Sequence, residues 1–229
     1  AIAQTGGIPL VVSGGGPMVR EVERAGGEHI TMPVFSKNPL VMRRNTRALE
    51  ALIRDRRVDI VHARSRAPAW CARGAADRAG AAFMTTFHGA YGESNHLKHI
   101  YNSIMAKGER VIAISDFIAE HVHRLYGVPA SRLRIIHRGV DLFRFNPANV
   151  SAERVVQLAN EWRLTEGYPV IMLPGRLTRW KGQAIFIEAV AKLERRDIRC
   201  LIVGGDQGRT EYRTELESLV EEHDLGEVV

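Results

Sequence analysis

The chain has 229 residues, 45% of them hydrophobic and 25% charged, which excludes disordered, collagen-like and low-complexity proteins and leaves room for one or two domains. Two cysteines, Cys71 and Cys200, are too few for a disulfide framework or a four-thiolate zinc site and read as small buried residues of a reducing compartment. The net charge of +6 is unevenly spread: residues 1–150 carry 21 Lys and Arg against 12 Asp and Glu (+9), and residues 151–229 carry 11 against 14 (−3). A basic first half would attract an anionic membrane surface, a nucleic acid or a phosphorylated substrate, and charge alone does not choose among them. No apolar run approaches the roughly 20 residues that span a bilayer. The opening AIAQTGG has neither the basic nor the apolar region of a signal peptide, and no initiator Met.

In chain order, short apolar runs alternate with longer amphipathic stretches, the pattern of a parallel sheet covered by helices. Residues 8–12 predict a strand, 18–25 a helix stopped by Gly26 and Gly27, and 29–32 a second strand. A helix over 42–54 sets Leu49, Leu52 and Ile53 on one face. Strands at 60–62 and 82–86 flank an Ala-rich helix at 68–79 that ends at Gly80. A strand at 110–114, a helix at 116–126 capped by Ser115 or Asp116, and a strand at 133–136 follow. The turn-rich HRGVDLFRFNP, with Gly139 and Pro147, then breaks the alternation.

Beyond it, Ser151 caps a helix at 152–162 that presents Val155, Leu158, Ala159 and Trp162 on one face. Strands are expected at 170–173 and 200–203, helices at 183–193 and 211–223, and the start of a further strand at 227–229. Two full strands and a stub are too little sheet to close a core. The expectation is therefore a nearly complete α/β domain over 1–146 and an incomplete one over 147–229.

Four loops carry candidate chemistry. SGGGP (13–17) follows a strand, but Val19 stands where a dinucleotide fingerprint needs its third glycine, leaving a tight turn with Pro17 at the helix start or a phosphate-lined loop. TTFHG ends in His88 and Gly89 at a strand's carboxyl end, where open α/β sheets place ligands. A histidine there can donate to a substrate oxygen, or satisfy only the local backbone. Tyr91, Glu93, Asn95, His96 and His99 follow, an acceptor-facing loop or a solvated surface; His96 and His99 have metal-ligand spacing without a partner carboxylate. PGRLTRWKG (174–182) sets Arg176, Arg179 and Lys181 between Gly175 and Gly182 before a helix. Cations beside free helix amides suit a diphosphate, with a solvated basic turn as the alternative. LIVGGDQG places Gly204, Gly205, Asp206 and Gly208 after the next strand, as a ligand-side loop or a turn.

Taken in order, VDIVHARS (58–65), TTFHG (85–89), VIAISDFIAEHV (111–122), IIHRGVDLFRF (135–145), LPGRLTRWKGQAIFIEAVAKL (173–193) and LIVGGDQG resemble the retaining glycosyltransferases of family 4. The resemblance implies the GT-B fold: two Rossmann-like domains with parallel sheets, the first on the acceptor side, the second, here incomplete, binding the nucleotide sugar. It also implies a strand and glycine-rich loop ahead of residue 1 and a glutamate-containing motif after Val229. Residues 1–229 are accordingly expected to be a fragment that binds nucleotide weakly and transfers little.

The implied activity moves a sugar from a nucleotide-diphosphate donor to a glycan or lipid-linked acceptor, in bacterial lipopolysaccharide or exopolysaccharide synthesis. No cofactor or metal is implied, and no D-x-D motif occurs. By resemblance, Arg176 and Lys181 hold the diphosphate and stabilise the leaving group, and Gly175, Gly204 and Gly205 approach the donor. His88 lies near the transferred sugar, and Tyr91, Glu93 and Arg64 face the acceptor. Arg64 stands where many relatives have His, HRGVD replaces the commoner N-G-V-D, and Asp141 falls to a structural role at the domain junction. The expected setting is cytoplasmic, with peripheral contact to anionic membrane on the inner face. Nucleic acid is not an expected partner, because the basic stretch 43–57 contains no aromatic for base stacking. An epimerase or phosphorylase on the same fold would share the diphosphate site.

Overall fold

The computed structural model describes residues 2–164, 167–208 and 210–229. The chain divides into two compact units between Gly139 and Val140, inside the turn-rich HRGVDLFRFNP stretch.

The first unit runs β1 (Leu10–Ser13), α1 (Val19–Arg24), β2 (Glu28–Thr31), α2 (Pro39–Asp55), β3 (Ile60–Ala63), α3 (Arg66–Ala79), β4 (Ala82–Phe87), α4 (His96–Ser103), β5 (Arg110–Ala113), α5 (Asp116–Tyr126) and β6 (Leu133–Ile135), after a 3₁₀ turn at Ala3–Thr5. β1 and β2 form a parallel pair, and β3-β4-β5-β6 form a parallel four-stranded sheet in sequence order. The four strands of that sheet therefore point the same way, and their carboxyl ends share one edge. Phe83, Phe87, Val111 and Ala113 are buried on this sheet. Ala69, Ala72, Ala75 and Ala76 of α3 join Leu49 and Ile53 of α2 in the same core, because alanines let the two helices approach closely.

Helix ends follow their local chemistry. Asn38 caps α2 with Pro39 as its first residue, Ser115 caps α5 by accepting from the Ile118 amide, and Gly127 ends α5 in the left-handed conformation at φ 63°.

The second unit runs α6 (Ala152–Glu161), β7 (Val170–Pro174), α7 (Gln183–Lys192), β8 (Arg199–Val203) and α8 (Thr210–Glu222). β7 and β8 pair in parallel from Val170↔Arg199 to Pro174↔Val203. Ile187, Val190, Ile198, Cys200, Leu216 and Leu225 form its core. Both cysteines are buried and unpaired by disulfide. No helix of the described residues is long and apolar enough to cross a membrane.

Two expectations are corrected. Residues 227–229 form no strand: Glu227 and Val228 lie in a turn, and the Val228 and Val229 amides both donate to the Leu225 carbonyl, at 2.8 and 2.9 Å, which curls the backbone. His96 and His99, read as part of an acceptor-facing loop or a solvated surface, lie in a helix (His96–Ser103) capped by Asn95, whose side chain accepts from the Lys98 amide at 2.9 Å.

Candidate functional site

In the first unit, β3 and β4 are neighbours and β6 lies one strand further, beyond β5, and residues just past the carboxyl ends of β3, β4 and β6 converge. His62 Nε2 lies 2.7 Å from Thr86 Oγ1. Beyond it, Arg64 Nε donates to His88 Nε2 at 3.2 Å. Arg138 Nη2 lies 3.2 Å from His88 Nδ1 and 3.5 Å from the His88 carbonyl oxygen. Arg64, His88, Arg138 and Gly139 line an open cavity of about 520 Å³. Burial, then the Arg64 and Arg138 charges, lower the His88 pKa; burial, then Arg64 and His88, lower that of His62. Both imidazoles are therefore held toward the neutral form.

The loop after His88 is pinned from inside. The Glu93 carboxylate accepts from the Tyr126 hydroxyl, pairs with His99 Nδ1 at 2.5 Å, and accepts from Asn102 Nδ2 at 3.4 Å. Asn102 Oδ1 in turn accepts from Arg66 Nη1 at 2.8 Å, and the Arg66 guanidinium lies 4.4 Å over the Tyr91 ring. Tyr91 packs at 5.3 Å on buried Phe87, and His99 stacks at 5.2 Å on Tyr126. Burial alone would raise the Glu93 pKa, but the hydrogen bonds from Tyr126, His99 and Asn102 together hold it below the usual carboxylate range. Burial, reinforced by Glu93, pushes the Tyr126 phenol well up. Of the three residues assigned to the acceptor side, Arg64 thus opens on the cavity, whereas Tyr91 and Glu93 are engaged in holding the loop. Arg138 enters the sequence reading only as the arginine of HRGVD, and Arg66, Asn102 and Tyr126 belong to none of its candidate motifs.

In the second unit, parallel pairing brings the two candidate donor loops together. The Gly175 amide donates to the Val203 carbonyl at 2.8 Å, and the Leu177 amide to that of Gly205 at 3.1 Å. Gly204 lies directly against the Gly175–Arg176 backbone. Buried Gln183, at the start of α7, donates from Nε2 to the Arg176 carbonyl at 2.9 Å. The three cations then differ. Arg179 is clamped by Glu215 through two contacts of 2.5 Å and lies over Tyr212. Arg176 reaches the neutral Gln207 amide at 3.5 Å, and Lys181 lies 4.4 Å over the Trp180 ring, its stem 3.7 Å from where a side chain on Gly175 would begin. Arg176 and Lys181 are thus exposed cations with no carboxylate partner among the described residues. Gly182 turns the chain into α7 at φ 79°.

Known proteins align with this architecture. The Glycosyltransferase Family 4 model matches residues 2–144, and Glycosyl transferases group 1 matches residues 157–229. A D-inositol 3-phosphate glycosyltransferase of Nocardia farcinica is 33% identical over 109 residues, 46% of this chain and 23% of the relative. A glycosyltransferase of Rickettsia africae superposes with a TM-score of 0.83 at 38% identity, covering 97% of this chain and 59% of the other. Anabaena HepE, solved with UDP and glucose, superposes with a TM-score of 0.78 at 17% identity over 96% of this chain and 60% of the other, a likeness of fold. The chain therefore spans about three-fifths of these solved relatives. With a parallel α/β unit matched over residues 2–144 and a second matched to its end, it belongs to Glycosyltransferase Family 4 and has the GT-B fold.

Proposed function

We propose that the protein transfers a sugar from a nucleotide-diphosphate donor to a phosphorylated or lipid-linked glycan acceptor, with retention of configuration. The observation that carries this reading is the pair of loops at the carboxyl ends of β7 and β8. They leave Arg176 and Lys181 without a carboxylate partner among the described residues, while Glu215 pairs with Arg179. Two fixed cations beside close-approaching glycine backbone stabilise a leaving nucleoside diphosphate as charge develops on it, an interaction stronger in the transition state than in the ground state. In this reading the cations carry that charge without a metal ion, and His88 donates to a substrate oxygen.

The names of relatives support both halves: HepE was solved with UDP and glucose, and the Nocardia relative is named for a phosphorylated acceptor. The basic first half suits such an acceptor at the cytoplasmic face of an anionic membrane, in lipopolysaccharide or exopolysaccharide assembly. The test is thermal-shift screening of the intact protein with UDP, GDP and ADP sugars. One nucleotide should raise the melting temperature, and the rise should disappear in Arg176→Ala and Lys181→Ala. No shift with any of the three, or an undiminished shift in both variants, refutes the donor assignment.

A further inference from the structure

Around His88 there are more hydrogen-bond donors than acceptors. A neutral imidazole has one acceptor nitrogen and one N–H. With Nε2 accepting from Arg64, the proton sits on Nδ1, where it confronts a guanidinium N–H of Arg138 at 3.2 Å. The other tautomer only moves the conflict to Arg64. Among the described residues, the one other acceptor bonded to Arg138 is the His88 carbonyl, at a long 3.5 Å. Among the described residues, no carboxylate lines the cavity on which these groups open.

We infer that Arg64, His88 and Arg138 form a phosphate-binding subsite in the first unit, separate from the Arg176–Lys181 pair, which holds the phosphate ester of the acceptor. A phosphoryl oxygen resolves the conflict, because it accepts from both guanidinium groups and from the imidazole N–H at once. Guanidinium groups are suited to this by their planar fork. Three elements supply the three residues, from the ends of β3, β4 and β6, so the site is built by the sheet rather than by one basic run of sequence. The cavity of about 520 Å³ leaves room for a phosphoryl group and part of the molecule that carries it. Helix α3 begins two residues after Arg64, and its N-cap Ser65 makes no side-chain capping bond, which adds the positive end of a 14-residue helix next to the site. That the ligand is the acceptor rests on the transferase reading; that the site binds phosphate does not.

The test is NMR of the chain with labelled histidine rings, the His88 signal assigned by its loss in His88→Gln, titrated with inorganic phosphate at constant ionic strength. Saturable movement of the His88 resonance is expected. Arg64→Gln and Arg138→Gln should each weaken binding by about tenfold or more, and Lys181→Ala should leave it unchanged. Both arginines are exposed, and matching melting curves establish that the variants are folded.

Glycerol phosphate and phosphatidylcholine vesicles with or without phosphatidic acid, used as competitors, separate the two sources of the ligand. Displacement by the soluble ester identifies a free sugar-phosphate type of acceptor, and displacement by the acidic vesicles alone identifies a lipid-borne one. Absence of a saturable His88 shift overturns the inference. So does a shift that survives both arginine substitutions, or one that Lys181→Ala removes. Nucleotide binding measured on the same samples separates the two readings: if UDP or its counterpart still raises the melting temperature while phosphate leaves His88 unmoved, the subsite fails and the donor assignment stands.

Discussion

Gly204 and Gly205 are adjacent, but replacing them with alanine should have opposite outcomes. A Cβ on Gly204 would fall onto the Gly175 carbonyl oxygen, 2.6 Å from its carbon and 3.2 Å from the Arg176 amide nitrogen. Those neighbours are backbone, already tied to β8 by the Gly175–Val203 hydrogen bond at 2.8 Å, so no side chain can swing aside. A Cβ on Gly205 meets nothing within 4 Å, and neither glycine has a positive φ. Overpacking of this kind costs about 1–3 kcal/mol, and the upper end applies where the obstacle is main chain. For a unit of this size that is a fall in melting temperature of roughly 10 °C or more.

Forcing the two loops apart also displaces Arg176, so nucleotide binding should weaken in Gly204→Ala beyond the loss of stability. Calorimetric melting and nucleotide titration of the two variants beside the parent measure both effects. If Gly204→Ala melts with the parent and binds nucleotide equally well, or if Gly205→Ala is the more damaging change, the contact between the donor loops does not organise the site.

Other expectations follow from the same geometry. Arg176→Ala or Lys181→Ala should lower turnover of the intact enzyme by about 10²-fold, since each removes charge from the leaving group; unchanged kcat in both counts against the roles given to them. Glu93→Gln should destabilise the first unit by about 1–3 kcal/mol through the bonds lost to Tyr126 and His99. It should also bring the Tyr126 phenol down toward its ordinary value, read by phenolate absorbance in an alkaline titration. His62 and His88 titrate below the ordinary 6.5, so as pH falls through that value the unfolded chain takes up protons before the folded one, and stability declines. Melting temperature against pH should therefore fall less steeply in the His62→Gln, His88→Gln double variant than in the parent.

Much of the architecture was legible because apolar runs and glycine stops are local signals. The helix at Asp116–Tyr126 and its cap at Ser115 could be read directly from DFIAEHVHRLY and the glycine after it. The helix at His96–Ser103 could not, because its one buried residue is Asn102, a polar side chain held by Glu93 and Arg66 rather than by an apolar stripe. Residues 227–229 are rich in valine, yet their amides close on Leu225 instead of extending.

The candidate site divides in the same way. Arg176 and Lys181 belong to one motif and were visible in it. The meeting of Arg138 with His88, 50 residues apart, and of Arg179 with Glu215, 36 apart, depends on strand order, which no short motif encodes. Glu93 reads in sequence as part of an acceptor-facing loop or a solvated surface; its bonds to Tyr126, His99 and Asn102, which tie that loop down, come from residues with no motif of their own.

The Arg179–Glu215 pair also bears on how the proposed donor site would respond to its surroundings. Three basic residues stand in the loop, but Glu215 compensates Arg179, so on the proposed reading a bound diphosphate would meet two cations without a carboxylate partner among the described residues rather than three. The site approaches electroneutrality when loaded instead of carrying an excess positive charge. Glu215→Gln would release the third cation and strengthen retention of the spent nucleotide, with a steeper dependence on ionic strength. If the protein turns over a nucleotide sugar as proposed, the Arg179–Glu215 pair tunes how tightly the spent nucleotide is held.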